Sequence, residues 1–188
     1  MAKRKKIRRP NMGNTIPDPQ IGPVINKPSI PTNNGFSFYS VYPWIQGTDK
    51  FLKKENFTNL CRCKEDFADE MCQLFNIIIP KLYQDSDKIF NFGNKWEYPH
   101  CHTLTDDKLN LAIKIANEIH QRNFDAFEKD SISWWQIGIK QGVRLVGLYN
   151  QPQNCFYPIF VDRHHLLYPS TKHNQSDFEK FKYNPVNQ

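Results

Sequence analysis

Along residues 134–140 the side chains change sides at every step, Trp135, Ile137 and Ile139 pointing one way and Trp134, Gln136 and Lys140 the other. A period of two is what a half-buried strand requires, because successive side chains leave a strand on opposite faces. Gln141-Gly142 then makes a tight turn, after which Val143, Leu145 and Gly147 alternate with Arg144, Val146 and Leu148. This second strand is apolar on both faces apart from Arg144, which places it in the middle of a sheet. Residues 150–154 are turn composition throughout. A third strand runs from Cys155 to Val161, and Pro158 forces a bulge or an edge position there because it has no N–H for the ladder. The stretch predicts a three-stranded antiparallel meander.

Upstream, residues 36–42 (Phe-Ser-Phe-Tyr-Ser-Val-Tyr) alternate well enough for another strand, closed by Pro43. Phe67, Met71, Leu74, Phe75 and Ile78 recur at helical spacing, with Glu65, Asp66, Asp69 and Glu70 on the other face, and Pro80 is expected to stop that helix. Residues 81–95 read as an irregular loop. Thr105 is placed to cap a second helix with Asp106 and Asp107 in its first turn, and Leu109, Ala112, Ile113, Ala116 and Ile119 form its buried face up to about Arg122. The expected fold is therefore α+β: a curved antiparallel sheet of about four strands with two packing helices, covering residues 35–169.

Charge is distributed unevenly. Lys3, Arg4, Lys5, Lys6, Arg8 and Arg9 supply six of the 25 basic residues, and removing those six from 25 leaves 19, equal to the 19 acidic ones. The body is neutral, so electrostatic attraction to a polyanion belongs to the amino-terminal arm. Residues 1–34 are basic and then rich in Pro, Asn and Gly, which predicts an extended or disordered arm because too little apolar surface is available to offset chain entropy. Residues 170–188 read as a polar tail, with Phe178 and Phe181 able to dock back. No apolar run reaches membrane-spanning length and no apolar core follows the basic start, so a cytoplasmic protein without a membrane partner is expected, with its five cysteines reduced.

The meander ends in Asp162-Arg163-His164-His165-Leu166-Leu167-Tyr168, where titratable side chains gather at the exit of a rigid sheet. Metal chemistry fits the chain poorly. Cys61, Cys63 and Cys72 have the wrong spacing for a tetrahedral site, so neither a metal nor another cofactor is expected, and Cys155 lies in an apolar strand that would not activate a thiol. Metal-free RNA cleavage needs a base for the 2′-hydroxyl, a cation for the developing charge and an acid for the leaving oxygen. His164 or His165 can act as base or acid, Arg144 and Arg163 can hold phosphate, and Tyr168 can stack on a base or donate a proton. Alternation past Asp162 pairs His165 with Arg163 and His164 with Tyr168. His100 and His102, beside the second helix, are further candidates if that turn reaches the sheet end. Lys140 joins the six arm residues as a candidate nucleic-acid contact.

A strand with the pattern R-x-V-x-x-Y (Arg144, Val146, Tyr149), an apolar strand and an H-x-x-x-Y ending (His164 to Tyr168) resemble the carboxy-terminal half of mRNA interferase toxins of the RelE and YoeB type. The resemblance covers roughly a third of the chain. It implies that Arg144 contacts phosphate and that His164 or His165 with Tyr168 forms the catalytic end. The Phe-Ser-Phe opening and the D-x-x-H-x-x-Y close also resemble small uncharacterised bacterial proteins. Two expectations follow. One is a metal-independent endoribonuclease or toxin-like protein of a bacterial mobile-element or defence locus, with RNA or the ribosome as substrate and an antitoxin or defence-complex protein as partner. The other is a noncatalytic adaptor that binds nucleic acid or protein through its basic arm.

Overall fold

The computed structural model describes residues 35–47, 55–90, 96–125, 131–139, 142–169 and 181–186. The meander forms as its alternation requires: β3 is Ile132–Ile137, β4 Arg144–Asn150 and β5 Cys155–Asp162, each antiparallel to the next. Two short strands complete the sheet, β1 (Ser37–Phe38) and β2 (His102–Thr103), giving the open order β1-β5-β4-β3-β2 with β4 in the centre. The sheet thus has five strands rather than about four. It is mixed, because β1 runs parallel to β5. Only two residues of the expected 36–42 strand pair, so most of that aromatic run packs without a ladder.

The first helix is longer than the sequence suggested. It begins as α1 (Lys64–Gln73), widens through a π-helical turn at Leu74–Ile78, and continues as α2 (Ile79–Ile89). Pro80 lies in the first turn of α2, where its missing N–H is tolerated and where the wider turn is already accommodating the change. The segment 81–89, expected to be loop, is helical because Leu82, Ser86 and Ile89 continue the buried stripe behind Gln84, Asp85 and Asp87. The other helix, α3 (Asp106–His120), carries Ala112, Ile113, Ile115, Ala116 and Ile119 inward. It ends at Gln121 in the left-handed conformation.

These helices cover opposite faces. Trp135, Ile137, Leu145, Tyr149, Phe156 and Val161 pack with Leu74, Ile78, Leu82 and Phe90 from the α1–α2 side. Trp134, Val146, Leu148 and Phe160 pack with the α3 stripe. Phe156 and Phe160 are four residues apart, a spacing that would put both on one face of an unbroken strand. They face opposite ways because β5 carries an extra residue: Gly147 lies opposite Pro158, while Val146 lies opposite Phe160. This is the bulge that Pro158 demands. Gly147 is required opposite it, since a Cβ there would stand 2.2 Å from the Tyr157 carbonyl oxygen.

The phase change directs the two charged residues at the end of β5. Asp162 emerges on the α3 face opposite Arg144, and Arg163 emerges on the α1 face. There the guanidinium donates to the Asn59 and Ile45 carbonyls, at 2.7 and 3.3 Å, and to the Glu70 carboxylate, and lies 5.4 Å over the Phe67 ring. Burial pushes the Glu70 carboxyl above its ordinary value, with Arg163 pulling the other way. Tyr183 adds a two-hydrogen-bond bridge to Cys61, and Phe181 packs on His164, so the tail does return. Phe178 and the 1–34 arm lie outside the described residues.

Removing Glu70 leaves a buried cation unpaired, so Glu70→Ala should cost about 3–5 kcal/mol in urea denaturation. The exposed Arg62–Asp66 pair is the internal comparison, and Asp66→Ala should cost roughly 0–1 kcal/mol. Equal losses from the two variants would deny the Arg163–Glu70 pair its structural role.

Candidate functional site

Of the polar residues gathered at the close of β5, Arg163 is committed to the fold, its side chain fully buried and its donors taken up as described. The sequence pairing of His165 with Arg163 is corrected accordingly, since the bulge sets Arg163 on the α1 face and the turn after Asp162 ends the alternation before His165. The pairing of His164 with Tyr168 is corrected as well. The His164 Nε2–H donates to the Leu60 carbonyl at 2.6 Å, and its ring meets Phe181 at 4.4 Å between centroids. Tyr149, the last residue of the R-x-V-x-x-Y pattern, is buried on the α1–α2 face, stacked on Phe90 at 3.8 Å.

The residues that do converge lie on the α3 face, at the end of the sheet where β4 begins and β5 finishes. Arg144 starts β4 and is buried, donating to the Gly142 carbonyl at 2.9 Å, with Asp162 as its cross-strand neighbour. Burial works against its charge while Asp162 supports it. The arginine side chain crosses Gly138, where an added Cβ would stand 2.5 Å from the Arg144 Cδ; glycine is needed for that close approach. The Asp162 carboxylate also accepts the Leu166 and Leu167 amides at 2.9 and 3.0 Å. Those two hydrogen bonds fold the exit into a turn with His165 at φ +57°, in the left-handed region.

In that turn His165 lies within electrostatic reach of Arg144, Asp162, His100 and His164. Burial first, then the Arg144 guanidinium, holds its imidazole below the ordinary value, with Asp162 opposing and His100 and His164 adding to the depression. His100 is lowered by burial, by Arg144 and by His102. The Pro-His-Cys-His turn is thus brought to the sheet end, because β2 pairs with β3 and sets His102 opposite Gln136. The His102 Nδ1–H donates to the Thr103 carbonyl at 3.1 Å, leaving Nε2 to accept from the Gln136 amide at 3.3 Å. Between His100 and His102, the Cys101 thiol donates to the Gly138 carbonyl at 3.5 Å and is pushed up to about 11 by burial, which keeps it an inert thiol.

Tyr168 closes the cluster. Its ring meets His102 edge-on at 5.1 Å, Lys108 of α3 stands 5.2 Å from its centroid, and 40% of the residue is exposed. Burial raises its phenol above the ordinary value, so the hydroxyl stays protonated. Among the described residues no group of three His, Cys, Asp or Glu side chains is arranged to hold a metal ion. Lys108, Gln136 and Gly138 were not visible as site residues in the sequence, where each reads as ordinary helix or strand. Lys3, Arg4, Lys5, Lys6, Arg8, Arg9 and Lys140 lie outside the described residues.

Because Arg144 depresses both imidazoles, Arg144→Met should raise the titration midpoints of His100 and His165, followed by the imidazole C2 protons in NMR. For His165 the buried charge of Asp162, no longer offset by the guanidinium, acts in the same direction; for His100 only the loss of the guanidinium counts. Midpoints unchanged for both rings would separate Arg144 from the histidines.

Comparison with known proteins adds a family. Uncharacterized protein UU032 of Ureaplasma parvum serovar 3 is 25% identical over 142 residues, covering 73% of this chain and 76% of that protein. No solved structure matches. Among the described residues no helix is long and apolar enough to cross a membrane. Residues 43–188, which contain every residue of the cluster and exclude the basic arm, match the family model described as uncharacterised protein UU032, and the chain belongs to that family.

Proposed function

We propose that the α3 face at the end of the sheet is a metal-independent RNA-cleaving site, with His165 and His102 as its proton-transfer pair. The observation that carries this reading is that His100 and His165 both lie within electrostatic reach of the buried Arg144, while His102, a neighbour of His100, is in ring contact with an exposed tyrosine that has a lysine at its face. His165, kept neutral by burial and by Arg144, accepts the 2′-hydroxyl proton as that oxygen attacks phosphorus. The bond from phosphorus to the 5′-oxygen breaks as His102, which must enter this step as the imidazolium with a proton on Nε2 in place of the Gln136 hydrogen bond, gives that proton to the 5′-oxygen; the products are a 2′,3′-cyclic phosphate and a 5′-hydroxyl. Arg144 and Lys108 place positive charge beside the crowded phosphate. The RelE-type resemblance supports the reaction class and the use of Arg144 and His165, while His102, the proposed acid, lies outside the residues that carry it. A toxin or defence role, with its protein partner, remains part of the same proposal.

A second reading has its own observation, six cations within the first nine residues of an otherwise neutral chain. On that reading the arm holds nucleic acid and the domain is an adaptor. Deleting residues 1–34 would then abolish RNA binding at low salt, whereas under the first reading it weakens binding and leaves cleavage in place.

Purified protein should cut labelled RNA in EDTA, alone or with ribosomes, leaving cyclic phosphate ends. His165→Ala and His102→Ala should each lower kcat by about 10²–10⁴-fold, the range of a lost acid or base. His164→Ala should retain activity in whatever fraction stays folded. Since neutral His165 is the active form and its value is depressed, the acid limb of the pH–rate profile should lie below the ordinary imidazole range. Undiminished cleavage by the His102→Ala/His165→Ala double variant would remove the site.

A further inference from the structure

Lys108 and Tyr168 stand together at the open side of the cluster, and neither is used up by packing. Tyr168 follows the Asp162-held turn, so its backbone is placed by the same carboxylate that positions His165. Its ring is braced by His102 at an interplanar angle of 87°, and the residue is 40% exposed. Lys108 comes from the first turn of α3, a different part of the chain, and its ammonium lies 5.2 Å from the ring centroid. An exposed aromatic ring with a cation at its face offers the two things a single nucleotide presents, a π-face to stack on and a phosphate to neutralise.

We propose that Tyr168 and Lys108 form a subsite for one unstacked nucleotide of single-stranded RNA, which makes the substrate class single-stranded rather than duplex. This inference rests on the RNA-cleaving reading of the neighbouring histidines. A base inside a duplex has both faces covered by its neighbours, so only a splayed base can lie on Tyr168. On binding, the base replaces the Lys108 ammonium over the ring and the ammonium moves to the adjoining phosphate. The subsite is short. Beyond Lys108 the surface opens into a cavity of about 700 Å³ along α3, but Glu55, Asp107 and Asp125 line it and Lys114 there is paired with Glu55 at 3.4 Å. Those carboxylates repel a continuing phosphate chain and limit recognition to a single residue.

The full chain carrying His165→Ala, which removes the proton acceptor and leaves the His102 brace of Tyr168 in place, is titrated by fluorescence anisotropy with a labelled 12-nucleotide single-stranded RNA and with an RNA duplex of equal length. The single strand should bind at least about tenfold more tightly. Adding Tyr168→Ala should weaken single-strand binding by about tenfold, within the range of a lost base–aromatic stack, while Tyr168→Phe stays within about twofold. Lys108→Ala should lower the slope of log K against log salt by about 0.7, one phosphate contact on a single strand. Equal affinity for the two RNAs, or a Tyr168→Ala variant that binds as its parent does, overturns the subsite. The two readings fail separately: wild-type protein that shows this binding pattern without cutting RNA loses the nuclease reading and keeps the subsite, and wild-type cleavage indifferent to Tyr168→Ala does the reverse.

Discussion

The buried guanidinium of Arg163 is the interaction on which the rest of the structure depends. Among the described residues, the stretches 44–47, 57–61 and 181–184 lack regular ladders, and their carbonyls must still find donors if they are to be covered. Arginine carries five N–H donors in a fixed plane, more than any other side chain. Here they take the Ile45 carbonyl, the Asn59 carbonyl and Glu70 of α1, so one strand end gathers two irregular segments and a helix. Neighbouring contacts extend the gathering. Asn59 donates to the Gln46 carbonyl at 2.9 Å, His164 donates to Leu60, and Tyr183 pairs with Cys61 on the adjacent backbone. Desolvating such an ion pair costs energy, and the gain is specificity of arrangement more than bulk stability.

A single residue without an N–H decides where that guanidinium goes. With Pro158 breaking the β5 ladder, one extra residue enters the strand and every later side chain changes face. Asp162 then meets Arg144 on the α3 side and Arg163 meets Glu70 on the other. In an unbulged strand the two would exchange places, putting a carboxylate beside Glu70 and a guanidinium beside Arg144. Both faces would then carry like charges in a dry setting, which is why the bulge and the charge order belong together.

The meander was legible because its signal is local: seven or eight consecutive residues alternating, with turns between them. Helix α3 was legible for the same reason, with its acidic first turn and apolar stripe. What escaped was whatever depends on pairing at a distance. Strand β2 is only two residues long and exists because β3 offers a free edge, so nothing in Pro-His-Cys-His announces it. Helix α2 was hidden by Gln84, Asp85, Ser86 and Asp87, whose polar composition reads as loop although Ser86 is buried. At the site, extrapolating strand alternation through residues 163–168 gave the wrong partners for both histidines. Alternation ends at Asp162, where the turn begins, and a turn with a left-handed residue has no period to extrapolate.

Asp162 explains how the site holds together under that irregularity. A histidine in the left-handed region costs about 1–2 kcal/mol relative to an ordinary backbone. Two amide hydrogen bonds to a buried carboxylate are enough to offset it, since bonds to a charged acceptor are the stronger kind. The same carboxylate supports the charge of Arg144, and burial together with Arg144 keeps His165 and His100 on the neutral side. The offset of the backbone strain and the support of the buried cation therefore both come from one aspartate at the end of one strand, whereas the imidazoles answer to burial first and to Arg144 second, with Asp162 opposing at His165. Such coupling keeps the imidazole aimed while leaving its proton affinity open to adjustment by whatever approaches from the Tyr168 side. An incoming phosphate would counter the positive potential of Arg144 and raise the proton affinity of His165, so the ring that starts neutral would hold a transferred proton more tightly once the anion is in place.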